Sequence, residues 1–424
     1  MKKRSLIAVI VLASVLVCAI AFAGCTSIKA TEGLVYTLND DGGSYACSGL
    51  GAATDKQIVI AREYDGKPVT AISDGAFAST DVTGVSIPKC VTKIGARAFF
   101  DCTKLMRAKT EGATEIGARA FSNCYALVSV DMGDNVTTIG ESAFEGCINL
   151  PHVYASKSTA GIGARAFYGC EKLKSANLGD SLAAIEAYTF SGCKSLENIV
   201  LPIGVMRVGE CAFVGCEKLE SFTLGSRVTK ICAGAFNNCT ALKAVSIPAS
   251  VVEIEPDSFV SCWSLERISV DSGNPAYSGS GNCLIEKRGK TLVLGCKNSV
   301  IPTDGSVAEI GEAAFRDRDG IVEMTVPASV VTIGCGAFGN CDDLARVVIS
   351  DGASTIADYA FADCDELSSV TIPSSVTHIG VGAFGKCAKL AQITFGGTRA
   401  QWNAIEKASG WDDGAGEYDV VCEG

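Results

Sequence analysis

The sequence predicts an α/β solenoid: parallel strands along a concave face, short helical or 3-10 turns along a convex face, and a β-rich N-terminal cap. Three features of the chain predict it. A phrase ending in Ala-Phe recurs, with Thr189 and Ser258 in the alanine's place in two copies, and its aromatic stands at Phe77, Phe99, Phe121, Phe144, Phe167, Phe190, Phe213, Phe236, Phe259, Phe315, Phe338, Phe361 and Phe384. The intervals are 22, 22, then 23 six times, then 56, then 23 three times, a period that marks stacked repeats. Inside each unit the apolar spacing changes from three to two, as a chain does when it leaves a tight turn and enters a strand. At 48% hydrophobic and 20% charged, the 424 residues have enough apolar material for a core.

The chain opens Met1-Lys2-Lys3-Arg4, followed by an apolar run from Leu6 to Ala23 broken only by Ser14. A charged start and an apolar centre have the form of a secretion signal. The run is also close to the length of a membrane-spanning helix. Phe22-Ala23-Gly24-Cys25 decides between them: small residues directly before a cysteine resemble a lipoprotein signal, which implies that Cys25 is lipidated and becomes the mature N-terminus. Residues 1–24 are then the signal and 25–33 a tether. No later segment is apolar enough to span a membrane, so the membrane is reached through the N-terminal lipid only.

A typical unit runs from Ile231 to Val251. Phe236, Cys239 and Leu242 lie three apart and suit a helical or 3-10 turn with one edge inward. Val245 and Ile247 lie two apart and read as a strand. Pro248, which has no N–H, ends that strand at a corner, after which Val251 and Ile254 point inward. One unit cannot cover its own apolar edge; stacked neighbours cover it and pair their strands in parallel. The 56-residue interval still holds Val300-Ile301-Pro302 and Val307 to Ile310, which read as one atypical strand and corner. Ahead of them, Cys283 to Ile285 and Thr291 to Leu294 flank a polar turn, the pattern of a projecting hairpin inserted at about residues 271–300.

The repeat resembles leucine-rich repeats, specifically the BspA-like family of bacterial surface proteins, through phrases such as Ile333-Gly334 followed by Ala337-Phe338, Cys341 and Leu344. The resemblance implies an α/β leucine-rich-repeat solenoid over residues 71–395. It also implies an N-terminal β cap at 34–70 and a C-terminal cap at 396–424 that contains Trp402 and Trp411. For function it implies a non-enzymatic adhesin on the extracellular face of the bacterial envelope, binding a protein or glycan of a host or neighbouring cell. The alternatives are a structural spacer lipoprotein or a glycan-capturing one.

Eleven of the 21 cysteines follow the repeat phenylalanine by three residues: Cys102, Cys124, Cys147, Cys170, Cys193, Cys216, Cys239, Cys262, Cys341, Cys364 and Cys387. They share one inward register and stack as a column of small, polarizable side chains, interrupted at Thr80 and Arg318. Buried thiols are the first reading. A disulfide ladder is the alternative, at Cα separations of about 5 Å, but stacked side chains point the same way. No C-x-x-C spacing favours a metal. Many free thiols on an exported chain suit a reducing habitat.

The residues for a reaction are sparse. Of the two histidines, His152 falls on a strand face and His378 at a corner, and neither has a triad around it. Gly161-Ile162-Gly163 imitates a dinucleotide fingerprint but lies inside the repeat phrase. Asp342-Asp343 and Asp365-Glu366 read as a solvated convex face, and Asn39 to Gly43 as a hairpin turn. Three basic groups and no acid in the first 24 residues leave a net charge of −14 on the rest, which opposes nucleic acid. No enzyme activity, cofactor or metal is expected, and the chain is read as a monomer. What remains is the concave face, whose candidate binding residues are Arg107, Lys109, Asp131, His152, Tyr154, Asn177, Asn198, Arg267 and Arg346. The richest group among them is Arg107, Lys109, His152 and Tyr154.

Overall fold

The computed structural model describes residues 29–424, so the signal and Cys25 lie outside the described residues. The chain winds into a parallel β-solenoid of about 16 turns. One helix of six residues, Arg399–Ala404, stands among the described residues, and the fold is therefore nearly all β rather than α/β.

Each coil contributes two short parallel strands. The first, such as Arg107–Thr110, forms the concave ladder; the second, such as Glu115–Ile116, falls on the Ile-Gly phrase and forms a ladder at the corner. Sequence periodicity predicts only the first of these, because a two-residue strand is too short to show alternation. The convex side is not helical or 3-10 either. Arg97, Phe99 and Asp101 donate their N–H groups to the carbonyls of Ala118, Ala120 and Ser122 in the next coil, while Ala98, Phe100 and Cys102 bond three residues back within their own coil. Arg97 and Asp101 reach this alternation at φ of 56° and 57°, in the left-handed region. A 3-10 turn would aim every N–H along its own axis and leave neighbouring coils unjoined.

The repeat phenylalanines stack ring over ring, with centroids 5.1 to 5.5 Å apart from Phe77 to Phe259 and 4.8 to 5.3 Å apart from Phe315 to Phe384. The column ends edge-to-face on Trp411, which packs on Trp402 of the helix. Thr398 and Gln401 form a capping box at the start of that helix. At the other end, Val35–Leu38 and Tyr45–Gly49 pair antiparallel, and Lys67–Ile72 carries the sheet into the corner ladder. Asn39 to Gly43 is the hairpin turn, closed by Asp41 Oδ1 accepting from Gly43 and Ser44 N–H. Thr31, in the segment read as tether, exchanges two hydrogen bonds with Val59.

All 19 described cysteines are free. The eleven of the column do more than fill space: each thiol donates to the carbonyl of the repeat phenylalanine one coil back, as Cys124 does to Phe99 at 3.2 Å and Cys239 to Phe213 at 3.3 Å. A thiol held this way points along the stack at an oxygen, not at its neighbour's sulfur. Fifteen of the 19 are buried, leaving Cys335 exposed and Cys90, Cys211 and Cys422 half-buried. In a thiol-reagent titration, the native protein is therefore expected to show at most these four promptly and the whole set after denaturation. A denatured, unreduced sample with few free thiols would contradict this.

The insertion is built into the stack and does not project. Tyr277–Ser280, Cys283–Glu286 and Thr291–Leu294 form an antiparallel sheet, and its last strand pairs in parallel with Glu309–Ile310 of the corner ladder. Asn274, itself buried, secures the entry turn: its amide donates to Pro248 and Val251 carbonyls and its oxygen accepts from Ala276 and Tyr277 N–H. Val300-Ile301 forms no concave strand, because Val300 N–H bonds Gly281 of the inserted sheet. The strand Cys283–Glu286 separates two cores: Leu284 belongs to the N-terminal one, Cys283 and Ile285 to the C-terminal one.

Candidate functional site on the concave face

Alternation along the concave strands turns every second side chain to water. All nine sequence-derived candidates are exposed, but the structure does not assemble them into one patch. The concave ladder runs from Gln57–Val59 to Ser129–Asp131, stops, and resumes as His152–Tyr154 paired with Ser175–Asn177. Arg107 and Lys109 lie on the first side of this break, and Lys109 is committed to Glu111 at 2.6 Å. The expected group of Arg107, Lys109, His152 and Tyr154 is thus divided. Asn198 sits one coil beyond Asn177 across a second interruption, Arg267 three coils further on, and Arg346 past the insertion.

This break differs from the others by one missing hydrogen bond. At the residue that enters each concave strand, the N–H donates to the same position one coil back: Val128 to Met106, Lys174 to Pro151, Glu197 to Lys174, Glu220 to Glu197. The residue facing Val128 is Pro151, which has no N–H to give. At the other interruptions within the regular stack a bond survives, as from Glu197 to Lys174 and from Lys243 to Glu220, each 3.3 Å. Pro151 removes it, and a groove of about 520 Å³ lies along this seam.

Asp131 and Asp134 border the groove on one side, His152, Tyr154, Lys157 and Asn177 on the other. Tyr154 is 59% exposed, with its ring 6.2 Å from that of His152. A 2.9 Å hydrogen bond between His152 Nδ1 and Ser175 Oγ holds the imidazole. Sequence reasoning found Asp131, His152, Tyr154 and Asn177; it missed Pro151, Asp134 and Lys157. The signal for Pro151 was available, since proline elsewhere in the repeat ends the strand and here it begins one. Among the described residues, no group of three His, Cys, Asp or Glu side chains is placed to hold a metal ion.

A stack of short coils with a dry interior and a laddered outer face is the architecture of a leucine-rich-repeat solenoid. The chain belongs to the BspA-type leucine-rich repeat family, whose repeat region matches residues 70–197, 160–279 and 293–406. Among solved structures, it is similar to a leucine-rich repeat protein from Bacteroides ovatus, at 24% identity and a TM-score of 0.69, over 94% of this chain and 100% of that one. It is also similar to a leucine-rich cell surface protein from Faecalibacterium prausnitzii, at 28% identity and a TM-score of 0.53, over 91% of this chain and 100% of that one. No curated protein matches it. Among the described residues, no helix is long and apolar enough to cross a membrane.

Proposed function

We propose that this is a non-enzymatic binding protein displayed at the bacterial surface, anchored through a lipid on Cys25, which engages macromolecules of a host or neighbouring cell along its concave face. The observation that carries the reading is the open seam, where Asp131, His152, Tyr154 and Asn177 converge on the concave face. Family membership and the likeness to a cell-surface protein support display. An exposed aromatic beside fixed polar groups is the composition of a binding hot spot.

The test is saturable binding of the purified protein to immobilised matrix proteins and glycans, repeated with Tyr154→Ala and Asp131→Ala. Binding lost in these variants, with melting unchanged, is the expected result. Absence of binding to either class would leave a passive spacer as the better description. For the anchor, the unsubstituted protein is expected to take up a labelled fatty acid and Cys25→Ala to take up none; absence of label in the unsubstituted protein would exclude lipid on Cys25.

A further inference from the structure

We infer that the seam at Pro151 is a subsite for a neutral oligosaccharide. This rests on the surface-binding reading and specifies its ligand chemistry. The groove's volume falls in the range of clefts that take small ligands. The exposed ring of Tyr154 offers an apolar platform for the C–H face of a pyranose. Around it stand groups that match vicinal hydroxyls: the carboxylates of Asp131 and Asp134, the amide of Asn177, and the imidazole of His152, whose other nitrogen is already engaged with Ser175. Val128, whose carbonyl receives no N–H from Pro151, also lines the groove.

Charge selects within this class. Two carboxylates against the single cation of Lys157 give the groove a negative balance, which opposes sialylated and uronic acid glycans. A protein partner is the weaker fit, because Tyr154 is the only large aromatic lining the groove.

The purified protein is applied to an array of neutral and sialylated oligosaccharides, and the bound sugars are titrated by calorimetry. Neutral oligosaccharides are expected to bind, and sialylated counterparts to bind more weakly. Tyr154→Ala is expected to weaken binding about tenfold or more. Pro151→Val supplies the N–H that the other interruptions keep; it is expected to narrow the seam and weaken glycan binding while the melting temperature holds or rises, which a merely structural role for Pro151 would not produce. Failure of every neutral sugar to bind, or binding unchanged in both variants, overturns the subsite. Saturable binding of deglycosylated matrix proteins without any glycan overturns the subsite but spares the surface-binding reading. Absence of both overturns the two together.

Discussion

Raising the pH above 9 is expected to unfold the protein abruptly, with thiolate formation and loss of strand structure in one step. Burial raises the thiols of Cys102, Cys124, Cys147, Cys170, Cys193, Cys216, Cys239, Cys262 and Cys341 above their ordinary value of 9.0, to about 11 for Cys262 and about 12 for Cys170 and Cys341. In the folded chain each thiol is dry and donates its proton to a carbonyl, so the thiolate is disfavoured twice over. The unfolded chain has no such restraint and releases these protons near pH 9. The stabilisation is therefore complete below pH 9 and is lost as pH rises from there through the folded values, because the folded state holds more protons in that window. One group contributes up to about 1.4 kcal/mol per pH unit, so the eight other than Cys102 together remove up to about 11 kcal/mol per unit. A loss of that size is comparable with the whole stability of an ordinary domain, about 5–15 kcal/mol. The check is ultraviolet thiolate absorbance followed beside far-UV circular dichroism during a pH titration of the reduced protein. Thiolate absorbance that grew gradually beyond the contribution of the four accessible thiols, while strand structure persisted, would show that the column is not dry.

Much of this arrangement is legible in the sequence, because repetition amplifies weak signals. Thirteen repeat phenylalanines, eleven of them preceded by alanine, locate the ring column, and eleven cysteines in one register locate the thiol column, although one copy of either would mean little. The donor role of the thiols is not legible, since it depends on where the preceding coil places its carbonyl. The left-handed residues of the convex face left a trace that periodicity overlooks. The residue before the column cysteine is Asp, Asn or Gly in nine of the eleven coils, types that tolerate positive φ, and Ser261 or Lys386 in the other two; all eleven adopt it. The insertion was misread because two apolar runs around Lys287 to Lys290 describe equally a hairpin in water and one inside a stack. Only the burial of Cys283, Leu284 and Ile285 on both sides of their strand distinguishes the two.

The other large effect belongs to Arg318, which stands where a column cysteine should be and is fully buried. The atypical coil before it carries Gly295 in the phenylalanine position, since Gly295 N–H bonds Ala314 as each repeat phenylalanine bonds its next coil. A Cβ there would meet the Phe315 ring at 1.9 Å, so the glycine gives that ring its space. Three residues on, the same coil has Asn298 in place of a thiol, and its amide turns outward to Glu266. Two carbonyls thus lose their usual donors, and Arg318 serves both. Its Nε donates to Gly295 at 3.1 Å and its Nη2 to Phe259 at 2.8 Å, two coils back, while Nη1 bonds Arg316 at 3.1 Å. Burial lowers the pKa of this guanidinium, so removing the cation regains some desolvation energy. Against that, Arg318→Ala leaves two buried carbonyls unpaired, at about 1–3 kcal/mol each, and a cavity costing about 2–5 kcal/mol, so destabilisation wins. Arg318→Met keeps the volume and is expected to cost about half as much. The damage falls between the two cores, and in a stack coupled only through neighbours it should uncouple them. In a denaturant titration of Arg318→Ala carried out in a Trp263→Phe background, fluorescence of Trp402 and Trp411 is therefore expected to report the C-terminal half at a midpoint distinct from that of circular dichroism over the whole chain. Coincident transitions at the midpoint of the unsubstituted protein would mean that Arg318 does not join the halves.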